Sequence, residues 1–122
     1  MIDTRAISPE AAAKALAGLS VRDARGLMTE ADILPTCHYG RCLEVAGEGG
    51  SAVVVLHEGN GVLWVEAVKA GGASAGLSEE IDTLLCGSGA KAIAFMTERR
   101  GLVRRAERRG YRIAGYVMKK EL

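Results

Sequence analysis

The sequence predicts a single α/β domain on a mixed sheet, an antiparallel meander followed by a parallel βαβ crossover, with helices on both faces. Two helical patterns open the chain, and three β-rich segments separated by glycine-rich turns follow. A strand, a glycine-led helix and a further strand then come in that order. With 122 residues the chain fits one domain, residues 1–122, and can bury a core without disulfides or a metal.

The first two predicted elements are helices. The Ser-Pro-Glu run at 8–10 is typical of an N-cap, a first-turn proline and an acid that favours a helix start, so a helix is predicted over 9–17. Ser20 is predicted to cap a second helix with an apolar stripe, and Pro35 is predicted to end it. The stripe consists of Val21, Ala24, Leu27, Met28 and Ala31.

Three segments rich in β-branched residues are predicted to form the meander. The glycines of 47–50 separate the first two, and Glu-Gly-Asn-Gly at 58–61 predicts a tight hairpin before the third. The third segment is apolar on both faces apart from Glu66, which predicts that it lies in the centre of the sheet. The segments are 42–47, 51–57 and 61–69.

The rest of the chain predicts a crossover, a basic helix and a last strand. A glycine-led helix within 70–89 joins the third strand to a buried strand within 90–97, so these two strands should be parallel. The segment 98–111 carries six arginines in fourteen positions. On a helix of about 100° per residue, four of them, at 104, 105, 108 and 109, share one arc. The opposite arc, predicted to dock, holds Leu102, Val103 and Ala106. A final strand is predicted over 111–120.

These elements together resemble the GNAT superfamily of acyl-CoA-dependent N-acetyltransferases, most clearly over residues 61–122. Gly110-Tyr111 stands where relatives have Gly-Phe after the last helix. The family's pyrophosphate loop reads Arg/Gln-x-x-Gly-x-Gly/Ala, and residues 69–74 read Lys-Ala-Gly-Gly-Ala-Ser. The resemblance implies an acetyl-CoA site whose phosphates meet glycine backbone N–H groups and a helix N-terminus. The implied contacts are Lys69, Gly71, Gly72 and Ser74, with Arg100 and Arg104 as further phosphate ligands.

The sequence also departs from the family's pattern. Ala106 stands where many relatives have a tyrosine that protonates the departing CoA thiolate. Glu66 is the candidate catalytic base, because a carboxylate in an apolar strand would be desolvated if it faced the cleft. The alternative for Glu66 is a structural ion pair with Lys69 or with a nearby arginine.

The N-terminal half resembles compact GNAT-like proteins of tailed phages, some of which are internal virion components without known enzymatic activity. The function implied is a non-catalytic, phage-derived structural or assembly protein, associated with the virion and bound to copies of itself or to a larger complex. The alternative is an acetyl-CoA-dependent N-acetyltransferase, with acetyl-CoA as its cofactor.

A weaker alternative is a nucleic-acid-binding module that uses the arginine helix. Two features count against it: Trp64 and Phe95 are predicted in core strands, and the net charge is only +1. Charge is unevenly distributed, however. Residues 1–98 carry seven Lys/Arg against thirteen Asp/Glu, or −6, and residues 99–122 carry nine against two, or +7. The default interpretation of the arginines is therefore a solvated face balanced by the acidic part of the chain.

Cysteine usage and the first residues predict a cytoplasmic protein, or a virion protein if it is phage-derived, without membrane attachment. The chain starts without a basic, then apolar leader pattern. Three cysteines at no framework spacing favour reduced thiols. A metal site is not predicted, because adjacent side chains rarely bind one ion. The residues considered as ligands are Cys37, His38, Cys42 and Cys86.

Overall fold

The computed structural model describes residues 2–17, 30–71, 75–97 and 99–122. Within these ranges the chain forms an α/β fold with a five-stranded mixed sheet and four helices. None of the described helices is both long and apolar enough to cross a bilayer. The elements are β1 (Asp3–Ala6), α1 (Pro9–Leu16), α2 (Glu30–Tyr39), β2 (Arg41–Gly47), β3 (Gly50–Gly59), β4 (Val62–Gly71), α3 (Ala75–Cys86), β5 (Ala92–Phe95) and α4 (Arg100–Arg108).

The strands lie in the sheet in sequence order, β1-β2-β3-β4-β5, and only the β4–β5 pair is parallel. The predicted meander and crossover are therefore confirmed. The predicted hairpin is confirmed too, since Asn60 and Gly61 have φ angles of 56° and 79°, as a tight two-residue turn requires. The prediction that β4 lies in the centre of the sheet is wrong. The middle strand is β3, with residues 52–56 all buried, and β4 is second from the edge.

Successive residues of β3 belong to two different apolar clusters. Val53 and Val55 pack in a cluster with residues of α1 and α2, whereas Val54 and Leu56 pack in a cluster with residues of α3. Alternate side chains of a strand point to opposite faces of its sheet, so the alternation of β3 accounts for this division. The helix residues are Ala12, Leu16, Ile33 and Cys37 in the first cluster and Leu77, Ile81 and Leu85 in the second.

One strand of the sheet was not predicted. β1 pairs antiparallel with β2, and all four of its residues are exposed. Arg5 forms an ion pair of 2.8 Å with Glu44 on the neighbouring strand. A short polar segment carries no alternating apolar pattern, so nothing local distinguishes such an edge strand from a loop.

The predicted end of the second helix is wrong. Its proposed cap, Ser20, and the stripe residues at 21–28 lie outside the described residues. The described helix α2 runs through Pro35 to Tyr39. Ile33 and Cys37, on either side of the proline, are both buried in the first cluster, and this packing offsets the hydrogen bond that proline cannot donate.

The predicted last strand is also wrong. α4 ends before Gly110, which has a φ of 95°, and residues 111–122 form no strand. A strand needs a neighbour for its backbone N–H and C=O groups, and β5 does not pair with this segment. The two arcs of α4 are as predicted, because its arginines are exposed while the opposite arc is half-buried. The half-buried residues are Leu102, Val103 and Ala106.

Candidate functional site

The predicted cleft lies where β4 and β5 stop pairing. The parallel register runs from Val62↔Ala92 to Val65↔Phe95. There β5 ends, whereas β4 continues to Gly71. Residues 67–71 of β4 therefore pair with β3 on one side, and their other side is not paired with β5. In parallel sheets, ligands bind at such carboxyl ends of strands.

Glu66 lies in a β-bulge at the start of this segment. Val55 pairs with Ala67 and Leu56 with Val65, so Glu66 is the extra residue on β4. Its side chain is exposed, which corrects the prediction of a desolvated carboxylate. Its assignment as catalytic base stays a prediction without that support. The bulge was missed, although a glutamate interrupting an apolar strand is the kind of signal that could indicate one.

Lys69 is engaged with a helix end. Its Nζ donates a hydrogen bond of 2.6 Å to the backbone oxygen of Ala17, the residue that caps the C-terminus of α1. Helix C-termini carry partial negative charge, so the ammonium group stabilises α1 at this position. The predicted phosphate ligand thus has a structural partner 52 residues earlier in the chain.

A shallow pocket adjoins Lys69 on the side of α1. Its cavity volume is about 180 Å³, and its lining comes from α1, β2, β3 and β4 rather than from β5. Typical ligand sites are roughly 300–1,000 Å³, so this pocket is too small for an acyl-CoA. The lining residues are Ala15, Glu44, Ser51, Ala52, Val53, Lys69 and Ala70.

The other predicted cofactor residues lie in three parts of the chain: the end of β4, residues 72–74 and α4. Gly71 is the last residue of β4 and pairs with Ser51. Gly72 and Ser74 lie outside the described residues. Arg100 and Arg104 are exposed on α4, and no described ion pair involves either of them. Of the four residues of this set that the structure describes, Lys69 and Gly71 are near neighbours on β4, and Arg100 and Arg104 lie on α4.

A cluster centred on Asp82 of α3 holds the chain that follows α4. The hydroxyl of Tyr111 donates to Asp82 Oδ1 at 2.6 Å, and Arg109 Nε donates to Asp82 Oδ2 at 2.7 Å. The Tyr111 ring packs edge-on against Phe95 with ring centroids 5.4 Å apart. Burial, and then the hydrogen bond to Asp82, raise the pKa of Tyr111. Tyr111 is therefore a poor replacement for the acid missing at Ala106.

The raised pKa of Tyr111 has a measurable consequence. The difference in phenolate absorption between the wild type and Tyr111→Phe is expected to appear only above pH ~10, the usual range for tyrosine. Because the folded-state pKa is above the unfolded one, the stabilisation from this group is complete below pH ~10 and is lost as the pH rises through the folded pKa. Urea unfolding at several alkaline pH values should therefore show a steeper loss in the wild type than in Tyr111→Phe. Equal slopes would contradict the contact.

Two of the candidate metal ligands are buried thiols. Cys37 and Cys42 lie in the first cluster, and Cys42 Sγ donates to the Cys37 backbone oxygen at 3.3 Å. Burial raises the pKa of the Cys37 thiol to about 11. His38 points elsewhere, towards Glu10 at 3.5 Å. Among the described residues, no three His, Cys, Asp or Glu side chains are grouped as a metal ion would require.

Thiol labelling should separate the three cysteines. Cys86 is exposed, whereas Cys37 and Cys42 are buried. Since the thiolate reacts and must be accessible, one thiol per native chain is expected to react promptly near pH 8, and three only after unfolding. The Cys86→Ser variant should lose the prompt reaction. Prompt reaction of two or three thiols in the native wild type would place Cys37 or Cys42 at the surface.

The surface differs from the prediction at one aromatic residue. Trp64 was predicted in the core but is 38 % exposed. Tyr39, also exposed, packs against His57 with ring centroids 4.6 Å apart. The burial of Trp64 therefore no longer counts against a nucleic-acid-binding module. The near-zero net charge still counts against it.

Comparisons with known proteins do not identify a family. The sequence was compared with protein-family models and with curated proteins, and no match was found. The resemblance to GNAT proteins therefore stays a prediction that depends on the motif residues and on the order of the elements.

Proposed function

We propose that this chain is a GNAT-type protein, phage-derived, that acts without catalysis as a structural or assembly component associated with the virion. The observation that carries this proposal is the contact between Lys69 and Ala17. The cation expected to meet a CoA pyrophosphate instead stabilises the end of α1. The parallel β4–β5 pair, and the division of β3 side chains between a cluster with α1 and α2 and a cluster with α3, support the GNAT-type arrangement with helices on both faces.

The acid and base positions support the same proposal. Ala106, at the position of the family's acid, is half-buried on α4 and cannot transfer a proton. The hydroxyl of Tyr111, the nearest tyrosine in sequence, donates a hydrogen bond to Asp82 within the fold. Glu66 is exposed, so burial does not prepare it to act as a base. None of these three residues is therefore prepared for the proton transfers that an acetyltransferase requires.

A titration with acetyl-CoA tests the proposal. A ligand at 100 times its Kd stabilises a folded protein by about 2.7 kcal/mol, so binding would raise the melting temperature clearly. We expect no change in melting temperature and no heat of binding by calorimetry up to millimolar acetyl-CoA. A micromolar affinity would contradict the proposal. Lys69→Met is a useful companion, because it should lower the melting temperature without ligand if the lysine serves α1.

An acetyl-CoA-dependent N-acetyltransferase is the second candidate, and the geometry of β4 favours it. β4 runs beyond the end of β5, and its bulge at Glu66 disrupts regular pairing at that point. A backbone N–H of this strand would polarise the thioester carbonyl, Glu66 or a water would take the amine proton, and solvent would protonate the thiolate. Acid catalysis usually contributes about 100-fold or more, so such an enzyme would be slow.

A single substitution tests this second candidate. Gly72→Trp places a bulky side chain in the loop that would approach the pyrophosphate, and acetyl-CoA affinity should be abolished. Gly87→Trp, at the other end of α3, is the matched control, since a Cβ at Gly87 meets only backbone oxygen atoms and none closer than 3.5 Å. Equal affinity in the two variants would remove the loop from the mechanism.

A further inference from the structure

We propose that the C-terminal segment, residues 112–122, is a strand donor that pairs with the open edge of β5 in a second copy of the chain, in a reciprocal dimer. This inference rests on the proposed function, because it names the contact by which the assembly protein would associate. It is carried by a segment that forms no strand and by a strand edge with no neighbouring strand in the described chain, with exposed apolar side chains on or beside both.

The donor is the most apolar exposed part of the described chain. Ten large apolar side chains are exposed in the described residues, and five of them lie in this segment, each more than half exposed. The segment forms no strand. Its sequence, RIAGYVMKKEL, contains β-branched and aromatic residues in the pattern from which a strand was predicted. The five side chains are Ile113, Tyr116, Val117, Met118 and Leu122.

The acceptor is the outer edge of β5. This strand pairs with β4 on one side, and β5 is the last strand of the sheet, so its other edge has no partner in the described chain. Trp64, which pairs with Ala94 of β5, and Met96, which follows β5, are 38 % and 57 % exposed. An open edge with apolar side chains beside it is a template for an added strand.

The start of the segment is fixed close to that edge. Tyr111 packs against Phe95 of β5 and donates to Asp82, so residue 112 leaves the domain next to the C-terminal end of its own β5. From there the segment continues without joining that strand. Two copies with their β5 strands adjacent would let each segment reach the edge of the other, and a two-fold axis satisfies both pairs at once.

Charge favours a second copy as the occupant. Residues 99–122 carry nine Lys/Arg and two Asp/Glu, a net +7, against −6 for residues 1–98. Arg109, directly after α4, shows this attraction within one chain, since its Nε lies 2.7 Å from Asp82 Oδ2. Residues 1–98 of a second copy carry the negative charge that attracts residues 99–122. Electrostatic attraction between two copies therefore requires no other partner.

Light scattering coupled to size exclusion tests the dimer. The full chain is expected at twice 12.8 kDa over a roughly hundred-fold range of concentration, and Ile113→Asp/Val117→Asp at half that mass. The matched control is Leu34→Asp, which changes an exposed leucine of α2 outside both surfaces and should keep the mass of the full chain. Circular dichroism melts of all three proteins confirm that each is folded.

A peptide experiment tests the acceptor. The ¹⁵N-labelled Ile113→Asp/Val117→Asp chain is titrated with an unlabelled peptide of residues 112–122. The amides of Ala92–Phe95 are expected to shift and to gain protection from hydrogen exchange. A peptide with both aspartates is the control and should leave these amides unchanged.

Three outcomes would overturn the inference. The first is a full chain whose measured mass is that of one copy. The second is a dimer that persists in the double aspartate variant, and the third is that the wild-type peptide does not shift the β5 amides. If the wild type has the mass of one copy and its β5 amides are protected from exchange, the segment pairs with its own strand. Each outcome leaves the acetyl-CoA titration unaffected, so failure of the dimer and failure of the proposed function are distinguishable.

Discussion

Leu77→Ala is expected to lower the free energy of unfolding by about 3–4 kcal/mol. Leu77 is 1 % exposed and lies in the cluster that joins α3 to the sheet. Truncating it leaves a cavity, because the neighbouring backbone cannot collapse into the space. Gly49, in the β2–β3 turn, fits directly against the Leu77 backbone, where a Cβ would collide with it, and its N–H donates to Glu80 at 2.8 Å. The turn and the helix are therefore held in fixed positions.

Urea denaturation measures this loss. A domain of this size has about 5–15 kcal/mol of stability, so the midpoint should fall by a large fraction while the slope stays the same. Leu34→Ala makes the same chemical change at a leucine that is 42 % exposed and should cost far less, within about 1 kcal/mol. Similar losses in the two variants would mean that α3 is not packed on the sheet as described.

Asp82→Ala is expected to release α4 and the chain after it from α3. The carboxylate accepts hydrogen bonds from Tyr111 and Arg109, and its removal leaves the half-buried Tyr111 hydroxyl without its acceptor. A hydrogen bond to a charged group contributes about 1.5–3 kcal/mol, and an orphaned polar group adds a desolvation cost. We therefore expect a loss of about 2–3 kcal/mol in the free energy of unfolding.

Hydrogen exchange localises the effect of Asp82→Ala. Amides of α4 should lose protection, while those of β3 should keep theirs up to the new global stability. Glu79→Ala, an exposed acid on the same helix, is the control and should leave α4 protected. In a double-mutant cycle with Tyr111→Phe, a coupling energy near zero would show that the carboxylate and the phenol act independently.

Elements encoded by local chemistry were predictable. The Asn60-Gly61 turn needs two positive φ angles, and these two residue types adopt them at low cost. The glycine-led helix between β4 and β5 predicted their parallel pairing from order alone. The features that were missed depend on distant parts of the chain. β1 is a strand because β2 accepts it, and α2 continues through Pro35 because Ile33 and Cys37 are buried against other elements.

The candidate site shows the same limit. Lys69 was assigned to a phosphate from its place in a motif, but its partner is Ala17, which no sequence pattern connects to it. Glu66 was assigned to a desolvated environment because its neighbours are apolar, but the bulge on β4 and the exposure of its side chain depend on how β3 and β4 pair. Which of several chemically suitable partners a charged side chain meets is decided by tertiary packing.

The two outer margins of the sheet differ in their resistance to aggregation. β1 is only four residues long, fully solvent-facing and marked by Asp3 and Arg5, features with which natural proteins block further strand addition. β5 lacks such charges, since its sequence is Ala-Ile-Ala-Phe. A continuous cross-β fibre would require strand addition at both edges of the sheet. Because the β1 edge resists strand addition and only the β5 edge accepts it, the molecule is expected to be protected from fibre growth even at high local concentration.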